Sequence, residues 1–466
     1  MQILFCASEI YPYAKSGGLA DVGHSLVKAL GKHAEMQSVM PLYGFMPKEE
    51  FEKTDIAFSV NLGGVFYDVT LYEKLHDGIK TYFVDAPLLS ATEEMYGDAK
   101  GDYANNDIRF ALFCAAVVEL AQTIHADIIH ANDWHSALVP LLVCRAKLKI
   151  KTLFSIHNLA YQGIFERDSL ARVGLEESYF HMDALEFYGR VNFLKAGIIY
   201  GDALTTVSPT YAKEIQTKEF GCGLEGLLQL YKAKLTGILN GIDETVFNPQ
   251  NDAALYSCYS SDTLEKKYEN KKALQREVGL SGLKKPLFVM ISRLVHQKGF
   301  DLLIESLDAF LSEDVNFVLL ANGDEEYKKM LLPYAKKYKN FKFLCNGYDE
   351  ALSHRIYASG DFLLMPSLYE PCGLNQMIAA RYGTIPIVHR VGGLKDSVHE
   401  RGNKCMHGIV MREATKKTLI GAVKRAVTLY GNNAKKEEMI SFNMNCDFSF
   451  DKSALLYHKL YKRLLP

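Results

Sequence analysis

The chain has 466 residues, of which 48% are hydrophobic and 23% are charged, and its formal net charge is −2. This length predicts roughly two to four domains, and the composition is that of a globular protein. A charge so close to neutral argues against a protein that binds nucleic acid through bulk charge. The N-terminal apolar run has no basic segment before it, and no apolar run approaches the ~20 residues that span a bilayer. We therefore expect neither a signal peptide nor a membrane segment.

Nine cysteines are scattered along the chain without a C-x-x-C pair. An odd, dispersed set predicts free thiols in a reduced, cytoplasmic protein. His130 and His135 are close in sequence, but their spacing fits no common zinc pattern and no third ligand is evident, so we expect no metal. A glycine pattern at 221–226 does not follow a clear strand, and we interpret it as a loop and helix start rather than a dinucleotide fingerprint. We expect no cofactor.

Short apolar runs alternate with helical patterns along the whole chain. The runs lack polar alternation, which is typical of strands buried in a parallel sheet, and the intervening helices predict right-handed βαβ units. The predicted strands are 3–7, 128–130, 151–155, 203–207, 287–291, 316–320, 362–365 and 385–388. Small-residue loops at 15–21 and 366–376 each precede a helical pattern. Two such helix starts far apart in sequence predict two nucleotide-type domains that face one anionic ligand.

Two further segments concern the organisation of the chain. Gly, Asn and Pro cluster over 237–249, which predicts a crossover between the halves. The tail predicts a helix capped by Ser449 or Asp451. Its apolar residues are expected to share one helix face and are Leu455, Leu456, Leu460 and Leu464.

Charged side chains follow two predicted strands in the second half. Arg293 and Lys298 come after strand 287–291, at the end of a strand where open α/β sheets bind ligands. The planar guanidinium of Arg293 and the ammonium of Lys298 suit a diphosphate ligand. A solvated basic loop before a helix explains the two residues equally well. Glu370 precedes a helix start whose N–H groups can meet phosphate or ribose oxygens. The alternative is an ordinary carboxylate favoured by the helix dipole.

Polar and aromatic side chains follow two predicted strands in the first half. The segment 130–135 comes after the apolar run that begins at Asp127, and 157–163 comes after strand 151–155. Planar faces, amides and carboxylates suit a neutral, hydroxyl-rich ligand such as a sugar. For each histidine taken alone, a structural role is the commoner explanation.

Five collinear motifs resemble the family of bacterial glycogen synthases and plant starch synthases. They lie at 15–22, 130–135, 157–163, 292–299 and 366–376. The resemblance covers essentially the whole chain. It implies an α/β, B-type glycosyltransferase fold with two Rossmann-like domains facing a deep interdomain cleft. The implied boundaries are 1–237 for the acceptor-side domain, 238–447 for the nucleotide-sugar domain and 448–466 for a helix that crosses back.

The resemblance also implies an activity. Glucose would pass from ADP-glucose (UDP-glucose in some relatives) to the nonreducing 4-hydroxyl of glycogen or another α-1,4-glucan, with retention of configuration and without a metal. By resemblance, the catalytic positions are Glu370 and His157, and Tyr348 stacks on the adenine. The implied diphosphate-binding residues are Lys15, Gly18, Arg293, Lys298, Gly373 and Leu374. The implied sugar or acceptor contacts are Asp133, Asn158, Tyr161 and Cys372.

The chain departs from the family pattern at a few positions. Ile378 stands where many B-type transferases have a second glutamate, and Asn132 replaces a frequent histidine. Leu368 and Val391 replace a common arginine and threonine. These departures bear on donor and acceptor preference more than on activity.

Two other functions are compatible with parts of the pattern. A B-fold nucleotide-sugar epimerase or hydrolase would use the same diphosphate-binding residues without a glucan site. A catalytically silent glucan-binding protein would be expected to lack Lys15, Lys298 or Glu370, and all three are present. The blocks at 133–134 and 157–161 favour the glucan-elongating transferase.

Overall fold

The computed structural model describes residues 1–98, 101–345, 347, 349–400, 402 and 406–465. Numbered in chain order, the strands are β1 Gln2–Cys6, β2 Glu35–Pro41, β3 Glu52–Leu62, β4 Val65–His76, β5 Ile79–Asp85, β6 Gly97–Asp98, β7 Gly101–Asp102, β8 Ile128–Asn132, β9 Lys151–Ile156, β10 Ile164–Phe165, β11 Glu186–Phe187, β12 Arg190–Asn192, β13 Ala203–Thr206, β14 Leu235–Gly237, β15 Leu287–Leu294, β16 Asn316–Gly323, β17 Phe341–Leu344, β18 Phe362–Met365, β19 Ile385–His389 and β20 Ile409–Met411. The helices are α1 Gly18–Leu30, α2 Pro87–Ser90, α3 Asn106–Thr123, α4 Leu138–Arg145, α5 Ser169–Arg172, α6 Phe193–Tyr200, α7 Pro209–Glu214, α8 Glu225–Leu230, α9 Leu264–Glu277, α10 Phe300–Leu311, α11 Glu325–Lys337, α12 Glu350–Ser359, α13 Asn375–Arg381, α14 Gly392–Ser397, α15 Lys416–Tyr430, α16 Asn433–Met444 and α17 Asp451–Leu464.

The chain divides into two compact units. Unit 1 comprises Met1–Asn240 and Phe450–Pro466, and unit 2 comprises Gly241–Ser449. The first unit is therefore built from two separate stretches of chain. All eight predicted strands are present, with ends within three residues of the predicted ones.

Unit 1 is built on a nine-stranded sheet with the order β14-β13-β9-β8-β1-β2-β5-β4-β3. The seven strands from β14 to β5 pair in parallel, and the β3–β4 hairpin continues the sheet in antiparallel pairing. The strands β10, β12 and β11, in that order, form a separate small antiparallel sheet. The residues from Ile3 to Cys6 are fully buried. That burial accounts for the unbroken apolar run in the sequence.

Unit 2 is built on a six-stranded, entirely parallel sheet with the order β17-β16-β15-β18-β19-β20. Strands β15 and β18 are neighbours although they are far apart in sequence. Because they run in parallel, the segments after their carboxyl ends emerge at one edge of the sheet. This edge carries the residues from 293 to 299 and from 366 to 376.

The C-terminal helix α17 belongs to unit 1. Its buried residues are Ser453, Ala454, Tyr457 and Tyr461. The predicted apolar face was wrong for Leu455 and Leu456, whose side chains are 47% and 49% exposed, whereas Leu460 and Leu464 are partly buried against the core. The two tyrosines occupy that face instead, because their rings fill the core, and the hydroxyl of Tyr461 lies 2.7 Å from Nδ1 of His130.

The predicted cap of α17 is also wrong. Phe450 occupies the N-cap position, and its own side chain makes no capping hydrogen bond. Phe450 is instead buried in the core of unit 1. Its apolar anchoring takes the place of a polar cap at this end.

Over the described part of the chain, we find no helix that combines the length and the apolar character needed to cross a membrane. The eight cysteines in the described ranges are free thiols.

Candidate functional site

Three neighbouring strands of unit 1 carry the predicted residues of the first half. Strands β9, β8 and β1 are adjacent in the sheet and run in parallel. Their carboxyl ends lead to His157 and Asn158, to Asp133, and to the loop that contains Lys15. The topology therefore brings the three segments to one edge of one sheet.

The loop before α1 is held by buried Glu9. A carboxylate oxygen of Glu9 accepts hydrogen bonds from the backbone N–H groups of Ser16 and Gly17, the latter at 3.3 Å. Lys15 directly precedes these two residues in the loop, and its Nζ is 2.8 Å from Oδ1 of Asp21. Desolvation raises the pKa of Glu9 from its ordinary value. Sequence reasoning missed Glu9, because nothing in its local pattern marks a carboxylate that folds back on the following loop.

Asp133 occupies a strained position directly after β8. Its φ is +55°, which is uncommon for a residue other than glycine and is often found at functional sites. The buried carboxylate accepts hydrogen bonds from the backbone N–H groups of His157 at 2.7 Å and Asn158 at 3.4 Å. Burial raises the pKa of Asp133 to about 7 in spite of these two bonds. Asp133 thus links the two predicted sugar-binding segments.

The protonation state of His157 follows from its neighbour Asn132. The amide nitrogen of Asn132 donates to the carbonyl oxygens of Cys6 at 3.0 Å and His130 at 3.1 Å. Its oxygen must therefore face Nε2 of His157, which lies 2.8 Å away. An amide oxygen only accepts, so Nε2 carries the proton and Nδ1 is left as an acceptor. Desolvation lowers the pKa of His157 to about 4, which keeps the ring neutral.

The loop 157–163 is fixed in place by a glycine and an amide. Gly163 has a φ of +60°, and a Cβ there would come within 2.4 Å of the ring of Trp134. Gln162 donates to the carbonyl of Cys222 at 3.0 Å and accepts from Asn192 at 2.6 Å. Tyr161 is 47% exposed between these anchors. The loop is therefore rigidly attached while one aromatic ring faces solvent.

In unit 2, Lys298 and Glu370 form an ion pair at the carboxyl edge of the sheet. Nζ of Lys298 lies 2.9 Å and 2.7 Å from the two carboxylate oxygens of Glu370. The hydroxyl of Ser367 donates to the same carboxylate at 2.9 Å. Glu370 is buried, so the cation and the hydroxyl hold it as an oriented anion. Arg293 lies at the end of β15 and is exposed.

Glycines shape the turn that carries Glu370. A Cβ at Gly299 would be 2.2 Å from the carbonyl oxygen of Pro366, and one at Gly393 would be 2.2 Å from that of Cys372. Gly373 has a φ of +72°, and the side chain of Gln376 donates to its carbonyl at 2.8 Å. Three segments therefore pack backbone to backbone here. The sequence analysis did not predict this packing.

Of the remaining predicted residues, Cys372 and Leu374 lie at the same edge of unit 2, and Gly18 is the first residue of α1 in unit 1. Cys372 is buried, and Leu374 is the N-cap of α13. The prediction for Tyr348 falls outside the described residues.

Within the described ranges, one group of three side chains could hold a metal ion. It consists of His24, His76 and Asp77 in unit 1. Asp77 already contacts Nζ of Lys28 at 2.6 Å. None of these residues was singled out from the sequence.

Two protein-family models match the two halves of the chain, and curated proteins match its full length. Residues 2–230 match the starch synthase catalytic domain, and residues 271–442 match glycosyl transferases group 1. The glycogen synthase of Aquifex aeolicus is 45% identical to this chain, covering 100% of it and 99% of that protein. The glycogen synthase of Geotalea uraniireducens is 39% identical, with coverage of 100% and 99%.

Solved structures give a matching picture of the fold. The catalytic domain of starch synthase IV from Arabidopsis thaliana, bound to ADP and acarbose, superposes with a TM-score of 0.91 at 32% identity over 99% of each chain. A sucrose-phosphate synthase from Thermosynechococcus elongatus has a TM-score of 0.64 at 15% identity, with coverage of 99% and 98%, and shows likeness of fold alone. These similarities confirm the predicted B-type glycosyltransferase fold.

Proposed function

The chain belongs to the glycogen and starch synthase family of glycosyltransferases, and from that membership we propose a specific reaction. Glucose passes from ADP-glucose to the nonreducing 4-hydroxyl of an α-1,4-glucan with retention of configuration, in the cytoplasm and without a metal ion. The observation that carries the proposal is the 45% identity to a glycogen synthase over the full length of both chains. The ADP bound to the plant starch synthase supports an adenine nucleotide as donor.

Three cations are assigned to the diphosphate of the donor. They are Arg293 and Lys298 in unit 2 and Lys15 in unit 1, with Gly18 and the amides of Gly373 and Leu374 as backbone partners. Breaking the bond between the anomeric carbon and the phosphate oxygen leaves negative charge on the leaving nucleotide. Preorganised cations stabilise that charge as it develops, which is the part a divalent ion plays in other enzymes. Because these cations can stabilise the leaving group in place of a divalent ion, we propose a metal-independent reaction.

Glu370 and His157 are assigned to the transferred glucose. The carboxylate of Glu370, held by Lys298 and Ser367, is a fixed anion that favours positive character on the anomeric carbon. The Nδ1 of neutral His157 accepts a hydrogen bond from a sugar hydroxyl. Asp133, Asn158, Tyr161 and Cys372 are assigned to the donor sugar or the acceptor, and Tyr348 to the adenine.

The bond changes balance without an external base. The bond from the anomeric carbon to the phosphate oxygen breaks, and its electron pair leaves with ADP. The acceptor 4-oxygen bonds to the same face of that carbon, and its proton passes to the leaving phosphate.

The direct test is incorporation of labelled glucose into glycogen by the purified protein. ADP-glucose and UDP-glucose are compared, each with and without EDTA, for the wild type and for Glu370→Ala. We expect ADP-glucose to be preferred, EDTA to have no effect, and the variant to lose roughly 10²–10³ in rate. Glu326→Ala, at an exposed position of α11, is the matched control and should keep full activity.

Each alternative gives a different result. Donor breakdown without labelled glucan would indicate a hydrolase or epimerase. Glycogen binding without turnover of either donor would indicate a silent binding protein. A preference for UDP-glucose would overturn the donor assignment alone, and a new β-linkage in the product would overturn retention.

A further inference from the structure

Among the residues that the structure describes, unit 1 contains three two-residue hairpin turns of the same backbone class. They connect β3 to β4, β4 to β5, and β11 to β12, and the flanking strand residues pair across each turn. In each turn both central residues have positive φ, with values of +57° and +88°, +49° and +78°, and +50° and +80°. This is the type I′ signature, which favours Gly-Gly, Asp-Gly or Asn-Gly.

The third turn departs from this residue preference. The first two turns are Gly63-Gly64 and Asp77-Gly78, as the rule expects, but the third is Tyr188-Gly189. A bulky residue in the left-handed region costs roughly 1–2 kcal/mol, and asparagine in the same place would cost less. The tyrosine gains no burial in return, because it is 81% exposed, the largest value among the exposed hydrophobic side chains of the described residues. Its ring is held out into solvent at a conformational cost.

The protruding ring stands on a firm base. Phe187 contacts the ring of Tyr188 edge to face at a centroid distance of 4.8 Å. Glu186 accepts the N–H of Gly189 at 2.7 Å, which closes the turn. Below it, Nζ of buried Lys195 donates to the carbonyls of Met182 at 2.8 Å and Glu186 at 2.5 Å. The ring is therefore presented in one orientation rather than on a loose loop.

The hairpin is connected to the loop that carries His157. Strand β12 pairs with β10, which directly follows that loop. Asn192, the last residue of β12, donates to Gln162 at 2.6 Å, and Gln162 donates in turn to the carbonyl of Cys222. A Cβ at Gly223 would be 3.0 Å from the ring of Phe187 and 3.4 Å from that of Tyr188. The hairpin, the loop 157–163 and the loop 221–223 thus form one connected platform.

We propose that Tyr188 is a binding platform for the α-glucan chain, and that its ring stacks on the apolar face of a glucose unit. The proposal rests on the proposed function, which supplies a neutral, hydroxyl-rich polymer as ligand. One rigid ring matches one sugar ring in size. A protein partner would need about 800 Å² of surface, far more than a single side chain offers. Tyr188 takes no part in the chemistry and acts on acceptor affinity.

The test replaces the ring by the residue that the turn prefers. Tyr188→Asn should keep the turn and keep or raise the melting temperature, because asparagine suits the positive φ. It should raise the Kd for maltoheptaose, measured by calorimetry, and the KM for glycogen by roughly fivefold, the scale of one aromatic contact. The KM for the nucleotide sugar should stay unchanged. A purely structural role would move stability and affinity together.

Two further variants complete the test. Tyr188→Phe keeps the ring and should bind maltoheptaose like the wild type. Phe66→Ala removes a 70% exposed ring elsewhere in the same unit and should leave acceptor binding unchanged.

Three results would overturn the proposal. They are an unchanged maltoheptaose Kd in Tyr188→Asn, an equal loss in Tyr188→Phe, and a change of oligomeric mass in Tyr188→Asn with acceptor binding intact. Binding is measured without turnover, so it separates this proposal from the proposed function. Weaker binding in Tyr188→Asn supports the platform even if the wild type transfers no glucose.

Discussion

At the scale of single residues, hydrogen bonds decide which form of a side chain is available for chemistry. Asn132 has both amide protons committed to backbone carbonyls, so its oxygen can only accept from His157. That constraint gives His157 one neutral tautomer, with the proton on Nε2 and with Nδ1 as an acceptor. A histidine at position 132, the frequent residue in the family pattern, could offer either a donor or an acceptor at this place.

The tautomer gives a prediction for Asn132→Asp. A carboxylate beside Nε2 favours the charged ring, so the pKa of His157 should rise by at least about one unit from its value of about 4. Nitrogen NMR of labelled histidine measures this directly, and the wild type should show an Nε2–H ring from pH 6 to 8. Asn61→Asp, at an exposed position near the end of β3, is the control. A wild-type His157 that titrates near 6.5 would contradict the assignment.

At the scale of elements, helix α9 buries polar side chains inside unit 2, to which it belongs. Lys267 is buried, and its Nζ donates to the carbonyl of Ala358 at 2.9 Å and to the hydroxyl of Thr384 at 3.1 Å. Lys271, also buried, is 2.6 Å from Asp361. Desolvation lowers the pKa of Lys267 to about 7. The amphipathic pattern of α9 is therefore carried by lysine stems as well as by apolar residues.

Lys267 should make the stability of unit 2 depend on pH. Between pH 7 and about 10.4 the unfolded chain holds a proton on this lysine that the folded chain lacks, so stability rises with pH. The contribution is at most about 1.4 kcal/mol per pH unit. Urea unfolding from pH 7 to 9 should show this slope in the wild type, and Lys267→Met should remove it. Lys266→Met, at an exposed site, should retain it; an equal slope in both variants would refute the assignment.

Helix α17 is attached to the sheet of unit 1 through a buried polar chain. The hydroxyl of Tyr461 lies 2.7 Å from Nδ1 of His130, and Nε2 of His130 lies 2.7 Å from the hydroxyl of Ser155. Ser155 in turn contacts Thr205. Desolvation holds the pKa of His130 well below its ordinary value, so the ring is a neutral link in this chain.

Tyr461→Phe should break the first link while keeping the ring. A buried ring nitrogen without a partner costs about 1–3 kcal/mol, and unit 1 should lose stability by that amount in chemical denaturation. Tyr338→Phe, which removes an exposed hydroxyl of unit 2 from Asp308, should cost less than about 0.5 kcal/mol. Equal effects of the two variants would show that the buried link adds nothing.

At the scale of the whole molecule, the chain passes between its units at two adjacent points. Within unit 1, the hydroxyl of Ser453 donates to the carbonyl of Leu239. Within unit 2, the N–H of Ile242 donates to the carbonyl of Phe448 at 2.8 Å. Unit 2 is one continuous segment of the chain, whereas unit 1 is built from both ends of the chain.

This connectivity predicts how fragments fold. Residues 241–449 expressed alone should unfold cooperatively, because the segment holds a complete parallel sheet with its helices. Residues 1–240 alone should be unstable, since the core loses Phe450, Ala454, Tyr457 and Tyr461. Joining residue 240 to residue 450 through a short linker should restore a cooperative thermal transition. A stable 1–240 fragment would contradict the role of α17.

The long regular elements and the strand-end motifs were accessible from the sequence. Buried parallel strands leave unbroken apolar runs, so the positions of Asp133, His157, Lys298 and Glu370 after the carboxyl ends of strands were predictable, and their roles in the reaction stay predictions. The buried face of α17 could not be predicted from the sequence, because its tyrosines fill a core made by segments hundreds of residues away. The role of Glu9 could not be predicted either, because its carboxylate meets the N–H groups of Ser16 and Gly17 only after the chain folds back on itself.

The sequence by itself determined the α/β architecture, the family and the residue types at the sheet edges, because periodicity and collinear motifs are local properties of the chain. Tertiary structure alone decided the tautomer of His157, the strained φ of Asp133, the pairing of Lys298 with Glu370 and the outward ring of Tyr188. These features depend on which atoms meet within about 3 Å and on which groups lose water, and neither is encoded in any short segment.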